Sequence, residues 1–274
     1  MKRFEGILIC TDLDGTLLRD DKTVSSENIE AIEYFKAHGG FFTFVTGRMP
    51  YFSHMIKEIV RPNAPIGCVN GGGIYDYGRE EYLSLKTLPE DVNELVFHVV
   101  REVPGVGVIV NTKDRLYFPF DSEASRLHRL HTGMPYLTAD LSDFHEPIAK
   151  IVFADHRPEA VARVAEALAN HPRASEFDFI QSERMLYEIL PKGVAKGAVL
   201  SPIALHLGVD LKRTDAIGDD NNDIDMLVKA GVGVAVANAC PAAKAAADHI
   251  TVSNEQHAIA RVIADIESGA IRFE

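Results

Sequence analysis

Short apolar runs alternate with amphipathic stretches over the first 80 residues. Ile7–Cys10, Phe41–Val45 and Ile66–Val69 are brief and almost wholly apolar, the pattern of strands buried on both faces. Between them, Ser25–His38 carries Ile29, Ile32 and Phe35 on one helical face. Ser25 or Ser26 caps its start, and Gly39-Gly40 ends it. A second helix is expected over Tyr51–Val60, closed off by Pro62 and Pro65. This βαβαβ order predicts a parallel sheet.

The texture changes in the middle of the chain. Residues 89–101 read as a helix with Val92, Leu95, Val96 and Val99 apolar. Gly107–Val110 and Arg115–Phe118 read as a hairpin, and Phe177–Gln181 with Met185–Ile189 as another. Between the hairpins, 121–146 has little periodicity, Ala149–Ala154 predicts a strand and Pro158–Ala169 a helix. Together these predict an α+β module whose mostly antiparallel sheet rests on one layer of helices. Parallel-sheet texture returns near 191. Strands are expected at Asp215–Gly218, Gly233–Val236 and His249–Val252, with helices at Lys196–Leu207, Ile224–Ala230, Pro241–Ala247 and His257–Ile266. The expected organisation is a parallel-sheet core formed by 1–80 and 191–274, interrupted by an inserted domain at 81–190.

Composition narrows the function classes. The 274 residues are 46% hydrophobic and 25% charged, as in a globular protein. A formal net charge of -12 disfavours nucleic acid and anionic membrane as partners. A small phosphorylated substrate stays compatible, because a local cation overrides the global field. Cys10, Cys68 and Cys240 form no metal-like pair, and no run approaches the ~20 apolar residues of a membrane span. A cytoplasmic protein, monomer or homodimer, is the expectation.

The chemistry gathers at predicted strand ends. The first strand runs into Asp12-Leu13-Asp14-Gly15, the second into Thr46-Gly47-Arg48, and a later one into Asp219-Asp220-Asn221-Asn222-Asp223. Open α/β sheets place ligands beyond such ends. Carboxylates from Asp12, Asp219 and Asp223 suit a hard divalent cation such as Mg²⁺, and no His/Cys cluster favours zinc. An acidic pair beside a cation suggests phosphoryl transfer. Asp12 would be the nucleophile and Asp14 the general acid and base. Thr46 and a lysine would hold phosphate oxygens; Lys196 and Lys192 compete for that part on spacing alone.

The assembled set resembles the haloacid dehalogenase superfamily, specifically its Cof-type phosphatases. Asp12–Leu18, Thr46–Arg48, Lys196 in its Gly-Val-Ala-Lys-Gly setting, and Gly218–Asp223 resemble the four motifs in order. The resemblance implies a Rossmann-like α/β core with an inserted α/β cap of the C2 type. It also implies a Mg²⁺-dependent phosphatase acting on small phosphorylated metabolites, sugar phosphates by default, through an aspartyl-phosphate. The implied metal ligands are Asp12, the Asp14 carbonyl, Asp219 and Asp223. Leu13, Thr46, Gly47, Arg48, Lys196 and Asn222 are implied at the phosphate, with Arg48 either touching substrate or bracing the loop. Asp220 falls at a variable position and reads as an N-capping or solvated carboxylate. Candidate substrate readers in the cap are His145, Lys150, Glu183, Arg184 and Tyr187. Two other readings stand beside hydrolysis. A phosphomutase would use the same aspartyl-phosphate. A non-catalytic phosphometabolite-binding protein would be expected to have lost the chemical residues, all of which are present.

Overall fold

A computed structural model describes residues 3–273. The chain enters through β1 (Leu8–Thr11), α1 (Ser26–Ala37), β2 (Phe41–Phe44), α2 (His54–Val60), β3 (Ile66–Cys68), β4 (Gly73–Asp76) and β5 (Glu81–Leu85). It continues through α3 (Asn93–Glu102), β6 (Gly107–Thr112), β7 (Leu116–Phe120), α4 (Glu123–Thr132), β8 (Ile148–Ala154), α5 (Pro158–Ala169), β9 (Phe177–Glu183) and β10 (Leu186–Pro191). The last part holds α6 (Leu200–Leu207), β11 (Thr214–Gly218), α7 (Ile224–Lys229), β12 (Val232–Ala235), α8 (Pro241–Ala246), β13 (His249–Ile250) and α9 (Ala258–Ser268). Two compact units result: 1–84 with 195–274, and 85–194.

The discontinuous unit is built on a parallel sheet in the order β13-β12-β11-β1-β2. Every residue of β1, β11 and β12 is buried, which explains the apolar character of β1 and β12, whereas β11 carries Thr214 and Asp215 into the same buried layer. Connections leave β1 toward β2 on one side, and the sheet resumes with β11 on the other. That reversal of strand order makes the ends of β1 and β11 the place where polar loops can diverge around a ligand. Helix α1 packs against α9. Ser25 caps α1 by accepting from the Asn28 amide. Asn28 is fully buried and Ile29 is only half-buried, contrary to the apolar-face reading; the Asn28 carbonyl oxygen Oδ1 accepts from the Ala260 amide and so joins α1 to α9.

The Ile66 strand departs from the simple βαβαβ expectation. A single parallel bridge, Val45 with Gly67, links it to the end of β2. Its ladder is antiparallel with β4, in a separate sheet of order β3-β4-β5.

The inserted unit has an antiparallel sheet ordered β7-β6-β8-β10-β9. One face, with Val108, Val110, Ile151, Phe153 and Ile189, packs on α3 and α5 through Leu95, Val96, Val99, Val164 and Leu168. Helix α4 lies inside the stretch read as unpatterned. It is capped by Ser122, yet Leu127 and Leu130 are exposed and, among the described side chains of the helix, only Ala124 and Ser125 are buried, so no apolar stripe announces it. No helix among the described residues is long and apolar enough to cross a membrane.

Asp215 is an exception inside the parallel sheet. It is completely buried, and neither carboxylate oxygen has a hydrogen-bond partner. Burial, and then the nearby Asp248, push its carboxyl well above the usual range. The folded state therefore retains a proton that the unfolded chain releases near pH ~4. Asp215 costs nothing below that pH, and stability is lost as pH rises from there toward the folded value. Asp215→Asn is expected to exceed the wild type in urea-denaturation stability at pH 8, with the gap closing toward pH 4. An equal gap at both pH values would show that Asp215 is not the titrating group.

Candidate active site

The loop after β1 folds back on itself. The Asp12 amide donates to the Ile217 carbonyl at 2.8 Å, so Asp12 leaves the sheet directly beside β11. The Leu13 carbonyl then accepts from the Thr16 and Leu18 amides. Gly15 makes the turn at φ +85°, and a Cβ there would lie 2.5 Å from Asp219 Oδ2. Thr16 donates its hydroxyl to Asp219 Oδ1 at 2.7 Å. The first and fourth motifs are thus in direct contact.

Lys196 occupies the centre. It starts a 3₁₀ turn before α6, is 2% exposed, and donates from Nζ to Asp12 Oδ1 and Asp223 Oδ1, each at 2.6 Å. Burial opposes its charge, but Asp12 and Asp223 outweigh burial and hold the ammonium protonated beyond its usual range. For Asp12, burial pushes the carboxyl up, Lys196 pulls against it, and Asp223 and Asp219 add to the rise. Asp219 is pushed up to about 6, chiefly by burial, with the Thr16 hydrogen bond opposing. Asp223 also accepts from the Asp219 and Asp220 amides through Oδ2, at 2.9 and 3.1 Å. Asp220 is exposed and caps the turn at Asn221–Asp223.

Asp14 faces a different environment. Arg48 grips its carboxylate with two nitrogens, Nη2 at 2.7 Å and Nε at 3.0 Å, and Lys22 adds a third contact at 2.9 Å. Burial would raise the Asp14 carboxyl, but Arg48 and then Lys22 outweigh it and hold it below its usual range. Two aspartates separated only by Leu13 are therefore driven in opposite directions, a division expected of sites that move protons. Thr46 is buried, and its hydroxyl oxygen accepts from the Arg48 amide at 3.2 Å. Asn222 donates through Nδ2 to Asn70 Oδ1 at 3.2 Å.

Of the two competing lysines, Lys196 meets Asp12, whereas Lys192 is exposed and paired with Asp178 at 2.8 Å. The candidate readers of the inserted unit have mixed settings. Lys150 is buried in an ion pair with Glu188, Tyr187 packs on the unit's apolar cluster, and His145 is exposed beside Asp143. Glu183 and Arg184 are exposed at the β9–β10 turn. Thr16, Lys22 and Asn70 take part in the site although the sequence assigned none of them a role there, because each sits in a turn where such residues are ordinary.

The donor set fits a hard dication. Among the described residues, Asp12, Asp219 and Asp223 each offer an oxygen, and these atoms lie within 4.8 Å of one another. Three carboxylates against one ammonium leave a formal charge of -2 when all are ionised. The set holds no sulfur or imidazole donor that would favour a softer metal.

Comparison with known proteins agrees with this geometry. The sequence profile of the haloacid dehalogenase-like hydrolases matches residues 9–263. The 5-amino-6-(5-phospho-D-ribitylamino)uracil phosphatase YitU of Bacillus subtilis is 29% identical, with 93% of this chain and 96% of that protein aligned. The HMP-PP phosphatase of Serratia proteamaculans is 28% identical, with 93% of each chain covered. A haloacid dehalogenase-like hydrolase from Bacteroides thetaiotaomicron superposes with a TM-score of 0.86 at 26% identity, over 96% of this chain and 100% of that one. The chain belongs to the haloacid dehalogenase-like hydrolases, among the Cof-like phosphatases that carry an inserted cap domain.

Proposed function

We propose that this protein is a Mg²⁺-dependent phosphatase of small phosphorylated metabolites, sugar phosphates foremost, working through an aspartyl-phosphate. The observation that carries the proposal is Asp12 at the end of β1, sharing Lys196 with Asp223 and offering an oxygen within 4.8 Å of those of Asp219 and Asp223. Asp12, Asp219 and Asp223, with the Asp14 carbonyl, would hold Mg²⁺, which when bound supplies positive charge against the phosphoryl oxygens.

Asp12 attacks phosphorus, forming the carboxylate–phosphorus bond as the bond to the leaving oxygen breaks. Asp14 gives that oxygen its proton, then takes a proton from the water that cleaves the acyl phosphate and releases orthophosphate. At rest, Arg48 and Lys22 favour the Asp14 carboxylate, the form that serves the second half. An incoming phosphate dianion competes for the same two cations and so eases Asp14 toward its acid form. Lys196 keeps Asp12 oriented, and the Thr46 hydroxyl and Gly47 amide receive phosphate oxygens. The phosphatases named for a phosphoribitylamino-uracil and for HMP-PP support a cap that reads small, polar leaving groups.

The deciding assay is orthophosphate release from hexose and pentose phosphates, flavin mononucleotide and pyridoxal phosphate, with Mg²⁺ and with EDTA. Release that needs Mg²⁺ is expected. No release, with hexose 1-phosphate isomerising in the presence of a bisphosphate, would make the protein a mutase. Asp12→Asn should fold normally and lose turnover by roughly three orders of magnitude or more; retained release would remove Asp12 as nucleophile. Lys196→Ala leaves two buried carboxylates facing each other, so it should lose roughly 3–5 kcal/mol of stability in chelator. Wild-type denaturation of that variant would mean that the ammonium does not neutralise the pair.

A further inference from the structure

Val69, Asn70 and Gly71 all lie in the left-handed region, at φ 53°, 54° and 90°. Glycine and asparagine tolerate it, but a β-branched residue such as Val69 there is an outlier. Such strain persists only where the surroundings enforce it. Here they do so through three of the four motifs. The Val69 amide donates to the Arg48 carbonyl at 3.1 Å, and the Asn70 amide to the Thr46 carbonyl at 3.0 Å. A Cβ on Gly71 would fall 2.0 Å from the Ala195 carbonyl oxygen and 3.0 Å from the Lys196 nitrogen. The Asn70 side chain, in a residue 5% exposed, accepts from Asn222. It also crowds Gly47, where an added Cβ would lie 3.0 Å from Asn70 Oδ1.

We propose that Asn70 is a positioning residue of the phosphate pocket, its carboxamide fixing the Thr46–Gly47 turn and Asn222 relative to each other. This rests on the phosphatase reading above. A tight turn alone would need only a residue tolerant of left-handed backbone, which asparagine and glycine both are. The carboxamide adds what glycine lacks: an acceptor aimed at Asn222 and a surface against Gly47. Its loss would leave the backbone in place and let the two phosphate-facing segments drift apart.

Asn70→Gly separates the two roles, because it keeps the backbone freedom and removes the carboxamide. The proposal expects a Tm close to wild type, KM and the inhibition constant for orthophosphate both raised about tenfold, and kcat changed less. Asn222→Ala, at a half-buried position, should give the same signature, and the double variant should be no worse than the poorer single one. The rise in Tm produced by orthophosphate is read alongside, so the comparison does not depend on turnover. Wild-type KM and an undiminished phosphate-induced rise in Asn70→Gly would overturn the proposal, as would strictly additive effects in the double variant. If Asn70→Gly does not fold, an Asn222→Ala protein with normal phosphate response overturns it equally. A wild type that is stabilised by orthophosphate yet releases none from any substrate would strike the phosphatase reading and leave this one to the Tm comparison.

Discussion

Everything at this sheet edge depends on one buried ammonium held between two buried carboxylates. Lys196 reaches Asp12 and Asp223 from residues 184 and 27 positions away, and all three are almost completely shielded from water. Removing such charges from solvent is expensive, and the attraction repays it only if each group is well satisfied. The surroundings meet that condition. Both Asp223 oxygens are occupied, one by Lys196 and the other by two backbone amides. Asp219, left outside the ion pair, is steadied by the Thr16 hydroxyl. Geometry of this kind is costly as a stabilising device and well suited to holding the Asp12 carboxylate and the Lys196 ammonium in fixed register.

The parallel sheet makes the convergence possible. A central strand flanked by β2 and β11 brings the ends of three strands side by side, and the polar loops leave from those ends. Strands such as β1 and β2 are readable because burial on both faces leaves a mostly apolar run, and in β11 Ala216-Ile217-Gly218 carries the signal despite Asp215. Asp12, Thr46 and Asp219 were readable for the same reason: each is the first strongly polar group after such a run. Local pattern carried less elsewhere. Helix α4 exposes Leu127 and Leu130 and shows no periodic burial among its described side chains, so it has little to distinguish it from a loop. The pairing of β3 with β4 is a matter of chain direction after a strained turn, which periodicity does not encode.

Long-range partners were the least accessible part. Spacing could not separate Lys192 from Lys196, since both sit beside glycines in the Pro191–Gly197 stretch. Burial separates them: one is exposed beside Asp178, the other is enclosed with Asp12. The roles of Thr16 and Asn70 have the same origin. A threonine after Asp-Gly and an asparagine before three glycines are ordinary turn chemistry in one dimension. Their partners, Asp219 and Asn222, come from the far end of the chain and meet them only in the folded sheet.

The contacts also join the loops into one circuit. Thr16 ties the first loop to Asp219, Asp223 ties that residue's backbone back to Lys196, and Asn222 reaches Asn70, whose amide holds Thr46. The path closes on itself, because Arg48, two residues beyond Thr46, returns to Asp14 in the first loop. In a closed circuit a displaced member shifts its neighbours on both sides, so effects of single substitutions cannot be summed. An open chain of contacts would let the terminal loop relax alone. Closure instead makes the position of Asp12 relative to Thr46 and Lys196 a property of the whole ring, and the strain tolerated at Val69 is the local cost of completing it.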